Sequence, residues 1–296
     1  MSKLNDIANF SQYLMNKKAY DKKTDTYGAA EVSDINYMGD NDSNHVLDVY
    51  SPAMTNKKLP VIVEVHGGGY ISNKKVCNRP HGQWLAAHGS FKVVNVEYTL
   101  IPEATVAQEL QEITAAIAWV EDHADEYGFD TKNIFLTGDS SGGHLVLLMA
   151  AVQNRPDMQE ALGVKPVKSG IRAMAATCPV GSFIAHDPVS TAFRILGKMA
   201  LHLERDNDVK MLSYENFITE AFPECMLITT PSDVGIHTTT KNIHKAMKKN
   251  HVPHEYINIK KRKNPLKHVF NVLELEWEES IETNSAIMDF FRSKMI

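Results

Sequence analysis

Cysteine is scarce in this chain: Cys77, Cys178 and Cys225 are the only three, odd in number and widely spaced. That pattern argues against a disulfide framework and fits reduced thiols in a cytosolic protein. No Cys/His cluster has zinc-ligand spacing, so neither a metal nor a cofactor is expected. Long apolar runs are missing too. Nowhere do 18 consecutive apolar residues occur, so no membrane span is expected. The stretch Met1 to Phe10 has neither a basic start nor an apolar core, so no secretory signal is visible and a cytoplasmic location is expected. A basic surplus is lacking as well: the formal net charge is −5, and the short run Lys260 to Lys263 reads as a solvated face. Nucleic acid is therefore not an expected partner. No repeat, low-complexity tract or Pro/Gly/Ser-rich linker divides the 296 residues, so they are expected to form a single domain, with homo-oligomerisation left open.

What is present is an alternation of β-branched apolar runs with longer stretches of helical period. Val46 to Tyr50, Val61 to Val65, Phe91 to Tyr98, Asn133 to Thr137, Ile171 to Thr177, Cys225 to Thr230 and Glu255 to Ile259 read as strands. Thr105 to His123 reads as a helix, because Leu110, Ile113, Ala116, Ile117 and Val120 recur at three- and four-residue steps. His144 to Val152, Thr239 to Lys249 and Glu276 to Arg292 are further helices. Strands alternating with helices predict an α/β fold with a mostly parallel central sheet covered on both faces. In such sheets, sites form beyond the carboxyl ends of the strands. Two segments break the rhythm. Residues 181–222 scatter Phe183, Ile184, Phe193, Ile195 and Leu196 among charges, and together with residues 1–45 they are candidates for a small helical cap or lid. Ordinary packing on the sheet is the alternative for 181–222.

Gly138-Asp139-Ser140-Ser141-Gly142 matches G-x-S-x-G between the strand NIFLT and the helix HLVLLMAAV. This spacing puts a nucleophile on a sharp strand-to-helix turn, where small neighbours leave the hydroxyl exposed above the sheet. A Gly-rich turn with an incidental serine is the competing reading. His66-Gly67-Gly68-Gly69-Tyr70 follows the strand VIVEV directly. Successive glycines let N–H groups, Gly68 and Gly69 among them, turn towards a developing oxyanion, and Ser141 would add its N–H from the start of a helix. A phosphate-binding loop is disfavoured, since no Lys-Ser/Thr pair follows and no G-x-G-x-x-G occurs. His66 is expected to hold the loop shape.

With HGGGY and GDSSGG present in that order, the chain resembles the hormone-sensitive-lipase-like group of α/β-hydrolase esterases. Tyr98-Thr-Leu-Ile-Pro102-Glu103 is similar to that family's Y-R-L-x-P-E segment, with Thr99 in place of the usual arginine. Glu64 departs from the pattern too, in a strand position that is normally apolar. The resemblance spans roughly Val46 to the C-terminus and implies an α/β-hydrolase fold.

The triad order in that fold is Ser, acid, His. His268, in Lys-His-Val-Phe between the last strand and the last helix, resembles the family's H-x-F segment and is the expected base; His237, His244, His251 and His254 are the rivals. Asp233, delivered by Met226-Leu-Ile-Thr-Thr-Pro-Ser-Asp233, matches the strand-to-loop acid, with Asp187 in the insertion as its rival. The resemblance implies a serine carboxylesterase acting on small, short-chain acyl esters such as acetyl esters; Phe183 and Phe193 of the apolar-dotted insertion are the candidate substrate-binding residues. Amide or formamide hydrolysis on the same triad, and a non-catalytic ligand-binding member of the fold, are the alternatives.

Overall fold

The computed structural model describes residues 27–53, 57–184, 210–233, 235–260, 263–264 and 266–296. Its elements in chain order are β1 (Ala30–Asn36), β2 (Val46–Ser51), β3 (Leu59–Val65), α1 (Arg79–Gly89), β4 (Lys92–Val96), α2 (Val106–Asp122) and α3 (Ala124–Tyr127). They continue with β5 (Phe129–Asp139), α4 (Ser140–Gln153), α5 (Pro156–Leu162), β6 (Ala173–Thr177), α6 (Tyr214–Phe217) and β7 (Cys225–Thr229). The chain closes with α7 (Ile236–Lys249), β8 (His254–Asn258), α8 (Phe270–Leu273) and α9 (Glu278–Ser293).

The eight strands form one sheet in the order β1-β2-β4-β3-β5-β6-β7-β8. β2 runs antiparallel to both β1 and β4, and every other pairing is parallel. The mostly parallel α/β sheet read from the sequence is therefore observed, with a two-stranded antiparallel margin. That margin corrects one expectation. Ala30 to Asn36 lie in the segment 1–45 expected to cap the pocket, yet they pair with β2 as an edge strand. Residues 1–26 lie outside the described residues.

Alternation along the central strands sorts the core into two layers. Val61, Val63 and Val65 of β3 and Leu136 of β5 face one layer, which holds the buried faces of α2 and α4 with Ile243 and Met247 of α7. Ile62 and Phe135 face the other, packed on Trp84 and Leu85 of α1 and on Ile287, Met288 and Phe291 of α9. α2 starts where Thr105 caps it: the Thr105 hydroxyl accepts from Gln108 N–H while the Gln108 side chain accepts from Thr105 N–H. α4 is buried from Ser141 to Val152, which is why its sequence is apolar all round. It approaches β3 so closely that a Cβ on Gly142 would stand 2.2 Å from the Val65 carbonyl oxygen. Among the described residues no helix is long and apolar enough to cross a membrane.

Both described ends of the 181–222 insertion pack into the core: Phe183, Leu212, Phe217, Ile218 and Phe222 are all buried. Residues 185–209, including Phe193 and Asp187, lie outside the described residues.

Candidate active site

The candidate site gathers at the carboxyl ends of β3, β5, β6, β7 and β8. β5 ends at Asp139, and Ser140 opens α4 with φ +55°, a left-handed conformation that a residue with a Cβ rarely adopts. The expected sharp turn is thus present at the expected residue. The Ser140 carbonyl accepts from Val180 N–H at 3.1 Å, tying the turn to the chain leaving β6.

Asp233 follows β7, with its N–H on the Thr230 carbonyl at 3.1 Å, and its side chain is buried. His268 lies in the loop after β8 and is partly open to solvent. Its Nδ1 stands 2.7 Å from Asp233 Oδ2. Ionised carboxylate oxygens only accept, so Nδ1 carries the proton and Nε2 is left with a lone pair. The next residue, Val269, has φ +50°, a strained value for a β-branched side chain at the base of the histidine loop. Three of the four rival histidines have partners elsewhere, and His251 is exposed in the turn after α7. His244 and His254 pair with each other at 2.8 Å, and His237 stands 3.3 Å from the Thr229 hydroxyl.

The glycine loop is tied down by two side chains of the elbow. Gly67 N–H donates to Asp139 Oδ1 at 3.1 Å. Ser141 Oγ accepts from Gly69 N–H at 2.8 Å and from Tyr70 N–H at 3.3 Å. Of the three amides expected to form an oxyanion hole, Gly69 is therefore committed to Ser141. Gly68 N–H has no partner among the described residues, and Ser141 N–H lies in the first turn of α4, where no intrahelical acceptor exists. Gly68 itself has φ +140°, and a Cβ there would meet the Ser72 carbonyl oxygen at 1.9 Å, so no other residue fits.

His66 holds the loop, as expected. Its Nδ1 stands 2.8 Å from the Gly67 carbonyl, its ring stacks on Tyr98 at 4.4 Å, and its own carbonyl accepts from the Tyr98 hydroxyl. Burial works against its cation, but the Glu97 carboxylate 3.4 Å from Nε2, the Gly67 carbonyl and Asp139 together outweigh that and raise its pKa. Phe183 touches Tyr70 and His144 and has no exposed surface, which puts it in the core behind the glycine loop rather than on an open acyl pocket.

Two features carried no sequence signal. Cys178, directly after β6 with φ +46°, is buried and hydrogen-bonded to Asp233; burial pushes its thiol pKa well up, and the nearby Asp233 carboxylate adds to that. Its sulfur and the ligating atoms of Asp233 and His268 lie within 4.8 Å of one another, a donor set that could hold a thiophilic ion. In this structure Asp233 links the other two, being hydrogen-bonded both to the Cys178 thiol and to His268 Nδ1. The other is His144, whose Nε2 lies 2.8 Å from the Leu212 carbonyl and whose Nδ1 lies 2.8 Å from the Tyr70 hydroxyl.

Comparison with known proteins identifies the family. The BD-FAE family profile aligns with residues 47–247, more than half of the sequence. The chain belongs to the BD-FAE family. Esterase LipQ of Mycobacterium tuberculosis is 31% identical over 152 residues, which cover 50% of this chain and 35% of LipQ. Hormone-sensitive lipase of Ictidomys tridecemlineatus is 27% identical over 118 residues, 40% of this chain and 16% of the lipase. These matches span about a third or less of the curated relatives' own length. Among solved structures, Esterase B of Lactobacillus rhamnosis superposes with a TM-score of 0.88 at 27% identity, covering 99% of this chain and 95% of that one. A second structure of that protein, inhibited by a C4-C4 tributyrin phosphonate, gives a TM-score of 0.88 at 29% identity, covering 97% and 93%. The fold is that of the α/β-hydrolases, and the resemblance to the hormone-sensitive-lipase-like esterases is borne out.

Proposed function

We propose that this chain is a serine esterase that hydrolyses short-chain acyl esters through an acyl-Ser140 intermediate. The contact that carries the reading is His268 Nδ1 on Asp233 Oδ2 at 2.7 Å, which frees Nε2 to take a proton. Ser140 Oγ attacks the ester carbonyl carbon as His268 Nε2 removes its proton, and Asp233 stabilises the resulting imidazolium. The carbonyl oxygen, now negative, rests between Gly68 N–H and Ser141 N–H. Collapse of the tetrahedral adduct expels the alcohol, which takes its proton from His268. A water deprotonated by the same imidazole then releases the acid. The short-acyl preference is supported by the tributyrin phosphonate that inhibits Esterase B.

The test is a panel of p-nitrophenyl esters of increasing acyl length, with an N-formyl amide alongside, on wild type, Ser140→Ala and Asp233→Asn. Each methylene that fits should contribute about 0.8 kcal/mol, so kcat/KM should rise with length and then fall once the pocket is full, at about six carbons or fewer. Ser140→Ala should leave only residual turnover, and Asp233→Asn should lower kcat by a factor on the order of 10⁴. Full activity in Ser140→Ala would remove the nucleophile, faster turnover of the formyl amide would make this an amidase, and undiminished long-chain hydrolysis would remove the size limit.

A further inference from the structure

A carboxylate inside a parallel strand is costly unless something holds it, and Glu64 of β3 is buried with its side chain in the layer beneath α1 and α9. Its Oε1 faces His81 Nδ1 on α1 and accepts from Asn78 Nδ2 at 3.3 Å. The same Asn78 amide donates to Asp139 Oδ1, next to Ser140, at 2.8 Å. On the far side of the imidazole, His81 Nε2 lies 3.3 Å from Asn284 Oδ1 of α9. Asn284 Nδ2 donates to the Asn271 carbonyl at 2.8 Å, while Asn271 Nδ2 donates back to Asn284 Oδ1 at 3.0 Å and stands 3.3 Å from the Thr177 hydroxyl at the end of β6. Asn271 is three residues after His268. An unbroken run of side-chain hydrogen bonds thus passes under the sheet from the elbow aspartate to the histidine loop.

Donor counting fixes its polarity. The Asn271 carbonyl can only accept, so the Asn284 amide nitrogen must face it and the amide oxygen must face His81. His81 Nε2 therefore carries a proton, and Glu64 shares a second one with Nδ1. Burial disfavours the His81 cation, yet Glu64 and Asn284 outweigh it and raise its pKa. Glu64 Oε2 and Asn271 Oδ1 have no hydrogen-bond partner among the described residues, but each bond named above requires one orientation of its donor and acceptor, so the run constrains what it joins.

We infer that Glu64, His81 and Asn284 are positioning residues that hold the Ser140 elbow and the His268 loop in one register, so that the serine proton and the imidazole meet. This rests on the esterase reading above. None of the three touches substrate. Cutting the run anywhere should let the two loops drift apart, slowing the chemical step without weakening substrate binding.

The experiment measures kcat, KM and the rate of Ser140 labelling by a fluorophosphonate in wild type, Glu64→Leu, Asn284→Ser, Asn78→Ala and the Asn78→Ala/Asn284→Ala pair with its single variants, at a temperature where circular dichroism shows each folded. Expected is a tenfold or greater fall in kcat for Glu64→Leu and Asn284→Ser, with KM within twofold of wild type and labelling slowed in step. Asn78 and Asn284 do not touch, so independent roles would make the double variant's loss the product of the single losses; a shared run makes it much less than that product. If Glu64→Leu fails to fold, Asn284→Ser and the cycle still decide. Wild-type kcat in folded Asn284→Ser, or a strictly multiplicative cycle, overturns the inference. Wild-type protein that neither hydrolyses esters nor labels at Ser140 would instead overturn the esterase reading.

Discussion

The hydroxyl oxygen of Ser141 accepts the Gly69 N–H at 2.8 Å, so the residue after the nucleophile clamps the glycine loop with its side chain. From sequence, Ser141 was expected to act only through its backbone. The structure adds a side-chain part to that expectation: Ser141 Oγ holds the amides of Gly69 and Tyr70, and so the loop that carries Gly68.

Ser141→Ala keeps the amide and removes the clamp. One hydrogen bond between neutral groups contributes about 1 kcal/mol net, and leaving its buried partners unmade costs about 1–3 kcal/mol. We expect kcat to fall roughly tenfold with KM little changed, far short of the loss in Ser140→Ala, because a loosened donor costs most when the oxyanion forms. Steady-state kinetics on one short ester decides it: a kcat within twofold of wild type would mean that the Asp139 bond to Gly67 holds the loop alone.

His144 gives the fold a sensitivity to acid. Burial pushes its pKa down to about 4, only partly countered by the Leu212 carbonyl, so the ring stays neutral while the unfolded chain titrates near 6.5. A depressed folded pKa stabilises the native state above the unfolded value, and that stability drains away as pH falls from about 6.5 to about 4. The loss amounts to about 3 kcal/mol. His144→Gln can still donate to Leu212 and accept from Tyr70 but does not titrate. Thermal unfolding of both proteins between pH 7 and 4 should show the wild-type Tm falling more steeply; parallel curves would mean that other groups set the acid limit.

Much of the candidate site was legible in the sequence because its parts are local or ordered along the chain. The elbow is five consecutive residues, and Asp233 and His268 each follow a strand whose end could be placed. The polar run beneath the sheet was not legible. Glu64 stood out as an acid in an apolar strand, but its partners Asn78, His81 and Asn284 lie 14, 17 and 220 residues away, and no spacing rule links them. The edge strand β1 was missed for another reason. Ala-Glu-Val-Ser-Asp-Ile-Asn is largely exposed or half-buried, and its apolar alternation breaks after Ser33, where the register with β2 shifts, so it lacks the sustained pattern that marks a strand packed on a core. α1 hid behind Arg-Pro-His-Gly, whose proline and glycine read as a loop although proline suits a helix's first turn.

Glu109 of α2 is a carboxyl group in the wrong solvent. It is fully buried in the layer shared with α4, and neither of its oxygens has a hydrogen-bond partner among the described residues. Burial raises its pKa well above the ordinary value, and the Glu112 carboxylate adds to the effect. A raised folded pKa works in the opposite sense to that of His144: the stability it leaves is complete below the unfolded pKa near 4.5 and erodes as pH rises towards the folded value. Glu109→Met preserves the length of the side chain and removes both the unmet oxygens and the titration. Relieving an unsatisfied buried polar group is worth about 1–3 kcal/mol, so this variant should be more stable than wild type at pH 7, with the advantage growing towards alkaline pH and shrinking towards pH 5. Urea unfolding at pH 5, 7 and 9 measures it. A Met variant less stable than wild type at every pH would show that the carboxyl is held by a partner worth more than its burial costs.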